Sequence, residues 1–295
     1  AGPEDAVPML NLWSSADLVI EEQGDIPGAH NLDLVVDDHY AVATSEASFR
    51  ALYSFLHDGQ EPDVLAPLPQ DSIQVGGKAL TFAENQLFDG VVRVDTLDSE
   101  TGLVSNAGLP EQLVLPIGSD GAWGPVEVPT GFPLQLTTDG DDPAMRDVTY
   151  VIAPPVRANR LLYVRAFPSP ASLVGLLIDA IPTSKDQAVV VFFCRDRAMV
   201  AGKDSLTLNG MELLTDDVAP VEQSTIAIFG YDVDGDRESG LQSDALFESL
   251  PFLAGIDVSV PAGSGEMIEV VYNGATYRTV SRVSETEGPL VFILE

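Results

Sequence analysis

Basic residues are scarce in this chain: 14 Lys and Arg, of which only Lys78, Lys185 and Lys203 are lysines, stand against 46 Asp and Glu over 295 residues. Phosphate neutralisation needs clustered Lys and Arg, and no cluster exists, so no nucleic-acid contact is expected and an anionic membrane surface is disfavoured on the same ground. Cysteine is nearly absent. The single Cys194 rules out an internal disulfide framework; it ends the apolar run Ala188–Cys194, where a thiol packs as a small hydrophobe. Long apolar runs are missing too, and this one falls far short of the ~20 residues of a membrane span. No basic segment followed by an apolar one opens the chain, and a start at Ala1 leaves leader removal, other processing and Met trimming all open. Gly-x-Ser-x-Gly, a Walker loop, GxGxxG after a strand, HExxH and CxxC are all lacking. The only histidines, His30, His39 and His57, lie in the other half of the sequence from Cys194, so the order of residues suggests no thiol–imidazole pair.

What is there is acid. The net charge of -32 is uneven: residues 1–150 hold 26 acids and 4 bases, and residues 151–295 hold 20 and 10. Salt relieves such self-repulsion, the screening length falling to about 3 Å at molar ionic strength, so the surface suits brine. The interior is ordinary by contrast. Hydrophobic residues make up 45% and the mean hydropathy is +0.14, enough to build a packed core. The length suggests roughly two domains, placed at 1–145, acidic and β-rich, and 146–295, β-sandwich-like.

Strand signals dominate as short apolar or alternating runs between Gly, Pro, Asn and Asp clusters. They fall at Val7–Trp13, Asn31–Val36, Gly90–Leu97, Gln112–Ile117, Phe132–Thr138, Asp147–Ala153, Arg160–Phe167, Ala188–Cys194, Thr225–Gly230 and Pro289–Leu294. The expected fold class is mainly β, two β-sandwich or jelly-roll-like units with a few short helices. Asn209-Gly210 and Asn273-Gly274 suit the positive φ values of two-residue hairpins, and Gly76-Gly77 is a weaker third case. Helices are expected at 45–58, with Phe49, Leu52, Tyr53 and Leu56 on one face, at 170–181 and at 243–250. Their apolar stripes are read as core-facing. Pro116–Pro143, rich in Gly, Pro and Asp, reads as long loops around one or two strands. Both chain ends carry apolar strand formers that must be covered, either internally or by a neighbouring subunit.

One motif carries a mechanism. In Phe229–Gly240, Asp232, Asp234, Asp236 and Glu238 alternate around a Gly turn, and converging carboxylates suit Ca²⁺, which takes six to eight oxygens. The spacing is similar to the opening of calcium loops in dockerins and FG-GAP propeller blades. It departs from the EF-hand pattern, with Arg237 at the sixth position and Ser243 at the twelfth. The alternative is a solvated acidic turn. Asp139-Gly-Asp141-Asp142 reads as a solvated loop, and Asp37-Asp38-His39 places carboxylate and imidazole side by side, though on a strand Asp38 and His39 would point apart.

These readings converge on a non-enzymatic structural subunit of a virion or extracellular assembly, a capsid, tail or surface-layer protein adapted to high salt. Its partners are copies of itself and other assembly proteins, with no membrane span. A secreted calcium-dependent adhesion module and a carboxylate-dependent hydrolase are the alternatives.

Overall fold

The computed structural model describes residues 7–295 except 21, 22, 64, 65, 112, 222, 249, 251 and 264, and leaves out the side chains of 173, 174 and 177. The protein is mainly β with a few short helices. Its centre is an eight-stranded mixed sheet in the spatial order Leu253–Asp257, Ala227–Tyr231, Val190–Cys194, Leu290–Leu294, Thr149–Ile152, Leu134–Gly140, Gly90–Thr96, Leu113–Pro116. Val190–Cys194, Leu290–Leu294 and Thr149–Ile152 run parallel to one another. Parallel strands buried on both faces read as continuous apolar runs rather than alternation, which explains Ala188–Cys194. Val189 and Val191 enter one core while Val190, Phe192 and Cys194 enter the other, and Leu290–Leu294 divides the same way. Phe192 and Phe292 stack across the parallel pair with centroids 5.9 Å apart.

A smaller sheet covers each face. Ala122–Pro129, Ser72–Thr81 and Val164–Ala166 close the first core, where Trp123 is fully buried and its indole N–H donates to the Leu162 carbonyl at 3.2 Å. Met211–Glu212, Leu206–Leu208, Met267–Tyr272 and Ala275–Val280 close the second. Two sandwich-like units thus share one central sheet. Position 145, the expected domain boundary, lies in the connection between the antiparallel partners Leu134–Gly140 and Thr149–Ile152, and the central sheet takes strands from both sides of it.

The two Asn-Gly turns form as expected, with φ of 51° and 83° at Asn209-Gly210 and 47° and 86° at Asn273-Gly274. Gly76-Gly77 is not a turn. Ser72–Thr81 is one continuous strand with a bulge between Val75 and Gly77, and a Cβ at Gly77 would sit 2.1 Å from the Leu162 carbonyl oxygen. Glycine serves close backbone approach there, not reversal. The helix at Glu46–Leu56 begins where expected, its Ser45 side chain accepting the Ser48 N–H. Its stripe does not face a core: Phe49, Leu52 and Leu56 are exposed, Leu56 to 66%. The other helices shorten to Leu173–Asp179 and a 3-10 turn at Ala245–Phe247. Among the described residues no helix is long and apolar enough to cross a membrane. The C-terminal strand has a partner on each side, whereas among the described residues Leu10–Trp13 pairs only with His30–Asp33, in parallel.

Candidate functional site

That parallel pair positions the most chemically capable group of side chains. Asn11 and Asn31 lock it internally: Asn31 Oδ1 accepts from Asn11 Nδ2 at 2.9 Å and from the Ile26 N–H at 2.8 Å. The loop leaving the first strand turns back through the Asp17 N–H to Ser14 carbonyl bond, and Asp17 Oδ1 accepts the Val19 N–H at 2.9 Å. The second strand ends at Asp33, whose carboxylate takes the N–H groups of Ser15 and of Val35, the latter at φ 63°. These bonds hold Asp33 below the usual carboxylate range, the Ser15 N–H contributing most. The chain then delivers His39 to Asp17, with Nδ1 3.0 Å from Oδ2. Asp17 is buried and His39 about one-third exposed. Among the described residues the other ring nitrogen, Nε2, has no hydrogen-bond partner. A carboxylate only accepts, so Nδ1 is the donor in this contact, and the neutral form of the ring then presents its lone pair at Nε2, the arrangement a general base requires.

Asp38 does diverge from His39, but in a turn rather than a strand. Its Oδ1 accepts the N–H groups of Tyr40 and Ala41, and its Oδ2 the Ala198 N–H at 3.1 Å. Asp37 accepts the Ser45 hydroxyl at 2.6 Å. Thr44 Oγ1 donates to the Asp196 carbonyl, and the rings of His39 and Tyr40 pack on Phe252.

A cavity of about 270 Å³ opens between the central and three-stranded sheets, lined mostly by apolar side chains such as Tyr150, Phe167, Phe193 and Phe229, with Arg165 and Arg195 its charged lining residues. Ile152, Arg195, Ala227 and Ile293, which also line it, lie at the end of the sheet where Phe252 sits, as the registers Ile293 to Ile152, Phe193 to Ala227 and Ala227 to Leu253 require. Cys194 is buried, and burial pushes its thiol up to about 11, so it is an inert core residue.

Of the four anticipated calcium ligands, Asp232 and Asp234 come together, and the third carboxylate beside them is Asp257, all within 4.8 Å. Asp236 and Glu238 lie outside this group: Asp236 Oδ1 accepts the Glu238 N–H. Asp232 accepts from Gly235 and Arg237, and Asp257 from Val233, Gly240 and Gln242. Both Asp232 oxygens and Asp257 Oδ1 accept one bond each and retain a lone pair, whereas Asp257 Oδ2 already takes two, so the three carboxylates fit part of a hard-cation shell. Sequence reasoning missed Asp257, placed by the parallel register of Tyr231 with it, and Asp17, brought to His39 from 22 residues away. The signal for the latter was an Asp and a His each a few residues beyond the end of an apolar strand.

A family model described as a "-like, C-terminal domain" matches residues 177–283. The match takes in Asp232, Asp257 and Phe252 and leaves out Asp17 and His39. No curated protein matches. Among solved structures the Bacillus anthracis TIE protein is similar at TM-score 0.22 and 9% identity, covering 77% of this chain and 34% of that one. This chain spans about a third of that protein, and the likeness is too slight to bear on fold or function.

Proposed function

We propose that this chain carries the acid and base of a Ser-His-Asp type hydrolytic site, Asp17 and His39, acting on an ester or amide with an apolar group. The observation that carries it is the Asp17–His39 contact of 3.0 Å beyond the ends of adjacent parallel strands, where open α/β sheets assemble their sites. In this reading Asp17 fixes the tautomer, Nε2 of His39 withdraws the proton of a nucleophilic hydroxyl, and the imidazolium returns it to the leaving group. A two-stranded parallel sheet is marginal alone and needs both faces covered. Apolar residues exposed around it, Val36 to 72% and Leu18 to 54%, fit a sheet that further strands complete. The apolar cavity at the Phe252 end supports the substrate class. The test is hydrolysis of p-nitrophenyl esters of graded chain length by the purified protein. His39→Ala is expected to lower kcat by at least ~10³-fold on this mechanism, and hydrolysis unaffected by that change would refute the proposal.

The exposed apolar face also favours a second reading, a structural subunit of a virion or extracellular assembly adapted to salt, in which copies of this chain or other assembly proteins cover that face. Particle size across a salt series separates the two. In either reading Asp232, Asp234 and Asp257 hold a stabilising Ca²⁺, tested by stoichiometric calcium in purified protein and its loss in Asp234→Ala.

A further inference from the structure

We infer that the start of the edge strand Leu253–Asp257 is a positioning element of the hydrolytic site, with Phe252 holding the His39 imidazole against Asp17; this rests on the assignment of His39 as base and Asp17 as acid. Phe252 comes from the far half of the chain and sits just before strand Leu253–Asp257. Its φ is 70°, a left-handed conformation that a bulky side chain resists and glycine accepts freely. The sheet imposes it. The Phe252 carbonyl accepts the Ile226 N–H at 2.8 Å and the Ala227 N–H at 3.3 Å, and the following Leu253 pairs in register with Ala227.

The consequence is a ring facing the imidazole. The planes of Phe252 and His39 are 3° apart with centroids at 6.1 Å, and Tyr40 stands edge-on to both, 5.4 Å from Phe252 and 5.7 Å from His39. Two polar tethers from the same region, Ala198 N–H to Asp38 Oδ2 and Thr44 Oγ1 to the Asp196 carbonyl, pin the backbone on both sides of His39. They hold the loop but not the ring. An imidazole bonded only through Nδ1 keeps a broad rotation about its terminal torsion, and a flat neighbour on its face restricts that rotation. Stacked rings prefer this parallel, offset geometry. Bonds to the backbone and a ring on the face are therefore separable devices, and Phe252 supplies the second.

Only three histidines are present, so the ring nitrogens of His39 are resolvable by ¹⁵N NMR. In the wild-type protein at alkaline pH, Nδ1 and Nε2 of His39 are expected at widely separated shifts, protonated and unprotonated respectively. Phe252→Gly relieves the left-handed backbone, so folding is retained, as intact amide signals of the Asn209-Gly210 hairpin report. In that variant the two shifts are expected to converge toward tautomer averaging, and Phe252→Tyr, which keeps a flat ring, restores the separation. Undiminished separation in Phe252→Gly overturns the inference, as does convergence in Phe252→Tyr. A wild-type protein already averaged, or a separation unmoved by Asp17→Asn, defeats instead the assignment of the acid–base pair.

Discussion

Replacing Asp257 by alanine removes one buried carboxylate that organises the whole acidic turn. Asp257 is 1% exposed, and its Oδ1 accepts the Val233 N–H at 2.8 Å while Oδ2 accepts the Gly240 N–H at 2.9 Å and Gln242 Nε2 at 3.1 Å. A hydrogen bond to a charged group contributes about 1.5–3 kcal/mol, and an orphaned buried donor costs about 1–3 kcal/mol. Val233 is half-buried and bears most of that cost; Gly240 and Gln242 are exposed and regain water. The loss is therefore about 3 kcal/mol, close to one bond and its orphan rather than three. In a chain of this size each kcal/mol moves the melting temperature by roughly 2 °C, so a fall of about 6 °C is expected by circular dichroism in chelator, where metal plays no part. Asp236→Ala is the control. Its carboxylate is exposed and, among the described residues, accepts one N–H, that of Glu238 within the same turn, so its cost is expected within ~0.5 kcal/mol. A melting temperature for Asp257→Ala within about 1 °C of wild type, or an equal fall in Asp236→Ala, would refute the reasoning.

Other expectations follow from single contacts. Gly77→Ala, whose new Cβ meets the Leu162 carbonyl at 2.1 Å, is expected to cost at least ~2 kcal/mol in denaturant titration as an overpacked position, and a neutral result contradicts the close approach. Burial, the largest cause, holds the Asp95 carboxyl above its ordinary 3.8, against Arg93, Gln135 and Arg282. Such a group binds its proton more tightly when folded, so its stabilisation is present below the unfolded value and is lost as pH rises through the folded one. Asp95→Asn is expected to gain melting temperature relative to wild type as pH rises from about 3.5 to 7, and a constant difference contradicts it. Native Cys194, with its thiol raised to about 11, is expected to resist iodoacetamide at pH 8 until the protein unfolds, and stoichiometric labelling of folded protein contradicts its burial.

The strands and the Asn-Gly hairpins were legible because their signals are local: two residues able to take positive φ between apolar runs specify a turn wherever they occur. Ala188–Cys194 was legible as a strand, but its place between two cores was not, since an apolar run does not say how many faces are covered. Gly76-Gly77 misled because the same flexibility that makes a turn also admits a crossing backbone, and only Leu162, distant in sequence, decides between them. The stripe Phe49, Leu52, Leu56 fixed a helix but not what covers it. The site was least legible of all. Asp257 reaches Asp232 through strand register, and Asp17 reaches His39 through a loop that crosses between parallel strands. Alternation of acids along Asp232–Glu238 selected two residues of the cluster and could not select the third, because carboxylates converge by fold and not by spacing.

The proposed hydrolytic site requires Asp17 and His39 to act as one unit. The most direct measurement is kcat and KM for ester hydrolysis by Asp17→Asn beside wild type, alongside its melting temperature. An amide is nearly isosteric with the carboxylate but donates toward Nδ1 and leaves the imidazole in the wrong tautomer, a change that lowers kcat by about 10⁴-fold in an acid–histidine–serine site. A fall of that order is expected, with KM and melting temperature little changed, whereas activity within a few-fold of wild type would contradict the proposed pair.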